Sequence, residues 1–382
     1  MAGTGTGIGR RRGFRLRRAL LCIAIGTALA AATAACGSTA QPRQAEVTAA
    51  QAGTISETGS SLLYPLMHTW AAAYQHAAPG VTVATASTSS GTGLAAAAAG
   101  TTDIGASDAY LSTGDLVQSP TLLNIPLAIA AQTVIYNLPG VSASDHVQLN
   151  GAVLAGIYDG SITLWNDPRI AAINPHLTLP AVKIVPVRRS DHSGDTFLFT
   201  SYLSTGSQTA PGTQWNTTIG YGTTVNWPTV PGELGEQGSL NMLHACASTP
   251  GCVAYNGISY LSQALAVNLG EAELENYAGR YTLPTTTAIQ DSVASFVSLT
   301  PPNETISLID GPSPSGYPIV NYEYAVVSTH QPSTGKASAL RDFLTWIITT
   351  GNQASYLDTV GFQRLPDALV TLGEKQIAEI GS

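Results

Sequence analysis

The sequence predicts an α/β protein of about two domains, and three observations carry that expectation. From about residue 54 short apolar runs alternate with stretches of helical period, the pattern of strands interleaved with helices. Each candidate strand is followed within four residues by Ser or Gly, residues that suit turns and helix starts. The chain has 382 residues, and at ~150 residues per domain that is enough for two cores.

The expected strands are Val81–Ala86, Thr102–Ala106, Leu127–Tyr136, Lys183–Val187 and Ile319–Val327. Leu62–Tyr74 reads as a helix because Leu62, Leu63, Leu66, Met67, Trp70 and Tyr74 fall on one side. Further helices are expected at Leu94–Ala99, Phe197–Leu203 and Lys336–Thr349, the last with Leu340, Phe343, Leu344, Ile347 and Ile348 at helical spacing. These stripes read as core. Trp165-Asn166-Asp167-Pro168 reads as a structural turn that starts a helix.

Hydrophobic residues make up 44% of the chain and charged residues 10%, which argues against a disordered chain or a coiled coil. Arg10, Arg11, Arg12, Arg15, Arg17 and Arg18 precede residue 36, with no acidic residue among them; the body then carries 10 basic against 24 acidic residues. Nucleic acids and anionic membrane surfaces are therefore poor partners for the body. An anion bound there must be held by local dipoles.

Residues 1–35 read as a signal peptide, with an arginine-rich segment at 10–18 and an apolar run from Ala19 to Ala35. That run is short for a spanning helix, which needs ~20 residues. It leads into Thr33-Ala34-Ala35-Cys36, which resembles the lipobox of a bacterial lipoprotein, so Cys36 is the expected lipidation site and 36–50 a flexible linker. Simple cleavage and an uncleaved anchor are the alternatives. Arg11-Arg12-Gly13-Phe14 resembles a twin-arginine export motif. Cys246 and Cys252 flank a Thr-Pro-Gly turn, as a local disulfide in an oxidising exterior would require. A zinc site there would need two more ligands, and only His244 is near.

Three loops carry chemistry. Gly59-Ser60-Ser61-Leu62 opens a helix; Ser87-Thr88-Ser89-Ser90-Gly91-Thr92-Gly93 links a strand to a helix; and Arg189-Ser190-Asp191-His192-Ser193-Gly194-Asp195 does the same with a guanidinium added. Helix N-termini present unpaired N–H groups and partial positive charge, so each loop suits either a cap or an oxyanion. Asp108 and Asp195 have the same two readings. Arg188, next to Arg189 on a strand, is expected on the opposite face as a solvated charge.

Together, Gly59-Ser60-Ser61-Leu62-Leu63-Tyr64-Pro65, Ser90-Gly91-Thr92-Gly93 through Asp103-Ile104-Gly105-Ala106-Ser107-Asp108, Ile162-Thr163-Leu164-Trp165-Asn166-Asp167-Pro168 and Arg189 through Phe197 resemble the PstS family of phosphate-binding proteins. The resemblance runs from about Ile55 to about Pro366. It implies a two-lobe Venus-flytrap fold of type II, with two mixed sheets and two hinge crossovers: lobe I from 51–130 and 315–382, lobe II from 131–314. It also implies a monomeric, non-enzymatic solute-binding protein that passes inorganic phosphate to the permease and ATPase subunits of an ABC importer, with no cofactor or metal. By the same resemblance the ligand meets Ser60, Ser61, Leu62, Ser90, Asp108, Arg189, Ser193, Gly194 and Asp195, while Asp191 holds Arg189. Two positions depart from the family pattern: Asp195, where Thr is usual, and His192, where Gly is usual.

The residue types suit the ligand. Phosphate keeps a proton at neutral pH, since its second ionisation lies near ~6–7 as in phosphate esters, and sulfate keeps none. A buried carboxylate accepts the P–OH and repels sulfate. An exported hydrolase or phosphatase and a binder of another oxyanion are the competing readings. Asp191-His192-Ser193 holds the residue types of a catalytic triad, but as neighbours in sequence they diverge, and no G-x-S-x-G elbow is present.

Overall fold

The computed structural model describes residues 53–206 and 215–382. The expected signal peptide, Cys36 and the linker lie outside the described residues. The strands are β1 Gly53–Gly59, β2 Val81–Ser87, β3 Ile104–Ser107, β4 Leu122–Tyr136, β5 Gln148–Leu149, β6 Val185–Arg189, β7 Leu234–Glu236, β8 Cys252–Gly257, β9 Gly270–Glu271, β10 Glu273–Glu275, β11 Tyr281–Thr282 and β12 Val320–Ser328.

One long strand organises them. Leu122 to Ala131 of β4 pairs antiparallel with β12, and Gln132 to Tyr136 then pairs antiparallel with β8. The two mixed sheets expected from the sequence are thus the two wings of one nine-stranded sheet, β2-β1-β3-β12-β4-β8-β6-β7, with β9 beside β4. A three-stranded sheet, β11-β10-β5, stands apart. The 15 residues of β4 are almost all buried, as a strand covered on both faces should be.

In each wing the outer three strands of the sheet are parallel. β1 pairs parallel with β2 and β3, and β6 with β7 and β8. Loops at the carboxyl ends of parallel strands share one edge of the sheet, where α/β proteins place their ligands. This explains why loops far apart in sequence meet.

The apolar stripes are core, as expected. Leu62, Leu63, Leu66, Met67, Trp70 and Tyr74 are buried, as are Leu340, Phe343, Leu344, Ile347 and Ile348. The helix Tyr64–Ala77 packs on Thr334–Trp346, with the rings of Tyr74 and Phe343 4.8 Å apart. The second helix was expected to run to Thr349; instead it widens into a π turn, Ile347–Gly351, and the Trp70 Nε1–H donates to the Gly351 carbonyl at 2.8 Å. Asp167 caps the short helix Pro168–Ile173.

Cys246 and Cys252 are disulfide-bonded, tying the helix Gly238–Ser248 to β8. Arg188 is not merely solvated: it pairs with Glu233 at 3.0 Å and lies 6.0 Å from the centre of the Trp227 ring. No helix among the described residues is long and apolar enough to cross a membrane.

Candidate functional site

Six loops from the two wings converge. Ser60, Ser61 and Leu62 follow β1, Ser90 follows β2 and Asp108 follows β3; Arg189 ends β6 and leads to Ser193, Gly194 and Asp195. Ser239 follows β7, and Ser259 and Tyr260 follow β8. Sequence reasoning found the first four loops and missed the last two. Ser60, Ser61, Ser90, Asp108, Arg189, Ser193, Asp195 and Ser239 are each at most 3% exposed, so every polar atom among them must find a partner or a ligand.

Asp108 lies at the centre. Ser60 donates its hydroxyl to Asp108 Oδ1, and Ser90 donates to Oδ2 at 3.2 Å. Ser60 Oγ also accepts from the Leu63 amide at 2.9 Å just ahead of its helix, whereas Ser90 does not cap its own. Ser89 takes that role at Ser90–Ala98 by accepting from the Thr92 amide, which leaves the Ser90 hydroxyl facing Asp108. Gly194 completes this side, since a Cβ there would fall 2.4 Å from Asp108 Oδ2 and 2.5 Å from Ser90 Oγ. Only glycine permits that approach.

Arg189 forms a second node. Its Nε and Nη2 donate to the two oxygens of Asp191 at 2.6 and 2.5 Å, the fork-to-fork pairing of guanidinium and carboxylate. Its Nη1 donates to Asp195 Oδ2 at 2.6 Å and to Ser61 Oγ at 3.1 Å. The Ser239 hydroxyl donates to Asp195 Oδ2 at 2.9 Å, and the Gln132 side-chain amide to Oδ1 at 3.0 Å. Asp195 therefore anchors Arg189 rather than capping its helix. The Arg189 amide donates to the Tyr255 hydroxyl at 2.8 Å, which also bonds Thr196 Oγ1, fixing the loop to β8.

The wings are latched to each other at this edge. Ser259 Oγ donates to the Leu62 carbonyl, Tyr260 Oη to the Ser61 carbonyl, and the Gly91 amide to the His192 carbonyl at 2.8 Å. Beside the latch a groove of about 810 Å³, lined by Ser61, Ser89, Asp191, His192 and Ser239, leads to solvent.

The electrostatics follow from burial. Desolvation, and then the charge of Asp195, push the Asp108 carboxyl up to about 6. Desolvation also raises Asp195, against the opposing pull of Arg189. Burial pulls the guanidinium down, but Asp191 and Asp195 more than offset it, so Arg189 stays a cation. The triad reading fails on geometry: Asp191 is held by Arg189, His192 Nδ1 is bonded to Thr224 Oγ1 at 2.9 Å, and Ser193 Oγ accepts from the Thr196 amide.

Comparison with known proteins agrees with this architecture. The sequence profile of the PBP superfamily domain matches residues 44–350. A phosphate-binding protein PstS from Methanocaldococcus jannaschii is 35% identical over 343 residues, covering 84% of this chain and 84% of that protein. One from Pasteurella multocida is 32% identical, over 80% and 85%. Among solved structures, a high-affinity periplasmic phosphate-binding protein bound with phosphate superposes with a TM-score of 0.66 at 20% identity, covering 86% of this chain and 99% of that one. A phosphate-binding protein from Stenotrophomonas maltophilia gives 0.63 at 18% identity, over 84% and 93%. The fold is thus that of the periplasmic binding proteins, the PBP superfamily. Within it, the chain belongs to the PstS family.

Proposed function

We propose that this protein captures inorganic phosphate at the edge where the two wings meet and hands it to an ABC importer. The observation that carries the reading is a buried acceptor, Asp108, set opposite a buried cation, Arg189, among hydroxyls and free amides. The amides of Ser61 and Leu62 make no hydrogen bond among the described residues, and neither do those of Gly194 and Asp195 at the start of their helix. With the hydroxyls of Ser60, Ser61, Ser90 and Ser193 they supply the donors, Arg189 the countercharge, and Asp108 the acceptor for the P–OH. Summed over these donors, charge-assisted bonds at ~1.5–3 kcal/mol apiece together exceed the ~8 kcal/mol of micromolar binding, the remainder being lost to desolvation and closure.

The lobes of the proposal are 51–130 with 315–382, and 131–314. β4 supports that division, since it changes partners at Gln132, whose amide donates to the Ile319 carbonyl at 3.0 Å. Rotation about this double crossing would open the edge to solvent. Export, lipid anchoring at Cys36 and a monomeric, non-enzymatic carrier complete the proposal. Calorimetric titration of the purified body tests it: tight phosphate binding with much weaker sulfate binding is expected, and equal or absent binding of the two would end it.

A further inference from the structure

A carboxylate has about four lone-pair positions. Ser60 and Ser90 each use one on Asp108, and a ligand hydroxyl would use another. The remaining neighbour is Glu323, fully buried on β12: Tyr324 pairs with Ser107, which sets Glu323 beside Asp108, and Asn321 Nδ2 reaches both the Glu323 carboxyl at 2.7 Å and the Asp108 carbonyl at 3.5 Å. Its placement is a product of the sheet. The β4–β12 register slips between Glu323 and Tyr324, opposite Ala128 and Pro126; proline has no N–H to donate to the ladder, and bulges of this kind redirect side chains.

Glu323 Oε1 accepts from Asn321 Nδ2 at 2.7 Å, whereas Oε2 meets no donor. Two neighbouring buried carboxyls do not both ionise. Asp108 has two hydroxyl donors and Glu323 a single amide donor, so the proton belongs on Glu323. The charged groups acting on Glu323 are Asp108 and Asp195, both anionic, while Arg189 acts on those two carboxylates. Desolvation and the Asp108 charge accordingly raise Glu323 well above the usual carboxyl range.

We propose that Glu323 is a positioning residue that carries a proton, donates it in a hydrogen bond to Asp108, and so keeps that carboxylate ionised and aimed at the ligand's hydroxyl. Glu323 thereby sets the preference for phosphate over sulfate without touching the ligand. The inference rests on the phosphate reading above.

Phosphate and sulfate are titrated into the wild type, Glu323→Gln and Glu323→Leu at neutral pH. Glutamine preserves an N–H donor of similar shape, and phosphate affinity within about threefold of wild type is expected. Leucine removes the donor, and a fall of at least ~10-fold in the phosphate-over-sulfate ratio is expected. An unchanged ratio in the leucine variant would overturn the proposal. So would a glutamine variant that binds both anions at least ~10-fold more tightly, because Glu323 would then be an anion in the wild type. The glutamine arm decides even if the leucine variant does not fold. A wild type that fails to bind phosphate would instead sink the phosphate reading itself.

Discussion

The Gly91 amide donates to the His192 carbonyl across the two wings, and a Cβ on Gly91 would lie 2.5 Å from the His192 Cβ and 3.0 Å from its carbonyl oxygen. The latch therefore closes on a bare backbone. Gly91→Ala should oppose closure and weaken phosphate binding by about tenfold or more, a shift of ~1.4 kcal/mol. Gly80→Ala, where nothing lies within 4 Å, is the control and should leave affinity unchanged. Equal affinities for both variants would show that the latch does not govern binding.

Among the described residues, Arg189 is the one cation buried beside Asp108, Asp191 and Asp195. Arg189→Ala should lower phosphate affinity by at least ~1.5–3 kcal/mol, since it removes a charge-assisted donor and leaves two carboxylates without their partner. Arg188→Ala removes only the partly exposed pair with Glu233 and should leave affinity near wild type. Calorimetry on the two variants separates neighbouring residues with opposite roles.

Glu57 sits on β1 between β2 and β3, 3% exposed, with Oε2 unpartnered among the described residues. Desolvation pushes it from 4.5 up to about 8. The folded state thus holds a proton that the unfolded chain releases, so the contribution of Glu57 to stability is full below pH 4.5 and is lost as pH rises through about 8. Glu271, raised to about 7, and Glu304, raised to about 8, act in the same direction. Melting temperature should therefore fall as the solution is made alkaline, and Glu57→Gln should recover on the order of 2 kcal/mol there, a few degrees. Parallel melting curves for wild type and variant across that range would refute the assignment.

The disulfide closes a short loop at the end of Gly238–Ser248, and Ser239 at the start of that helix bonds Asp195 and Ser61. Replacing Cys246 and Cys252 with alanine should destabilise the protein by ~2 kcal/mol. Chemical denaturation with and without reductant measures it. Identical midpoints in the oxidised and reduced wild type would contradict the prediction.

The parts of the site legible in the sequence were those with a local signature. Ser/Gly turns between a strand and a helix marked Ser60, Ser61, Ser90, Ser193 and Gly194, while the pairing of Arg189 with Asp191 was implied by the resemblance to the PstS family. Their convergence was not legible, because it depends on β1, β2 and β3 running parallel in one wing and β6, β7 and β8 in the other. Ser239 was missed although Gly238-Ser239 before Leu240 repeats the same turn chemistry. Gln132 and Glu323 were missed for another reason: both lie inside runs read only as apolar strands, and a lone Gln or Glu in such a run was the available signal. Arg188 was misjudged because strand alternation gives a face and not a partner; Glu233 and Trp227 lie more than 35 residues away.

The central claim is that Asp108 distinguishes phosphate from sulfate by accepting a hydrogen bond that only a protonated oxyanion can give. Calorimetric affinities of Asp108→Asn for both anions, beside those of the wild type, test it most directly. The expected result is a phosphate-over-sulfate ratio reduced at least ~10-fold, with sulfate binding unchanged or stronger. Loss of both anions in equal proportion would contradict the account.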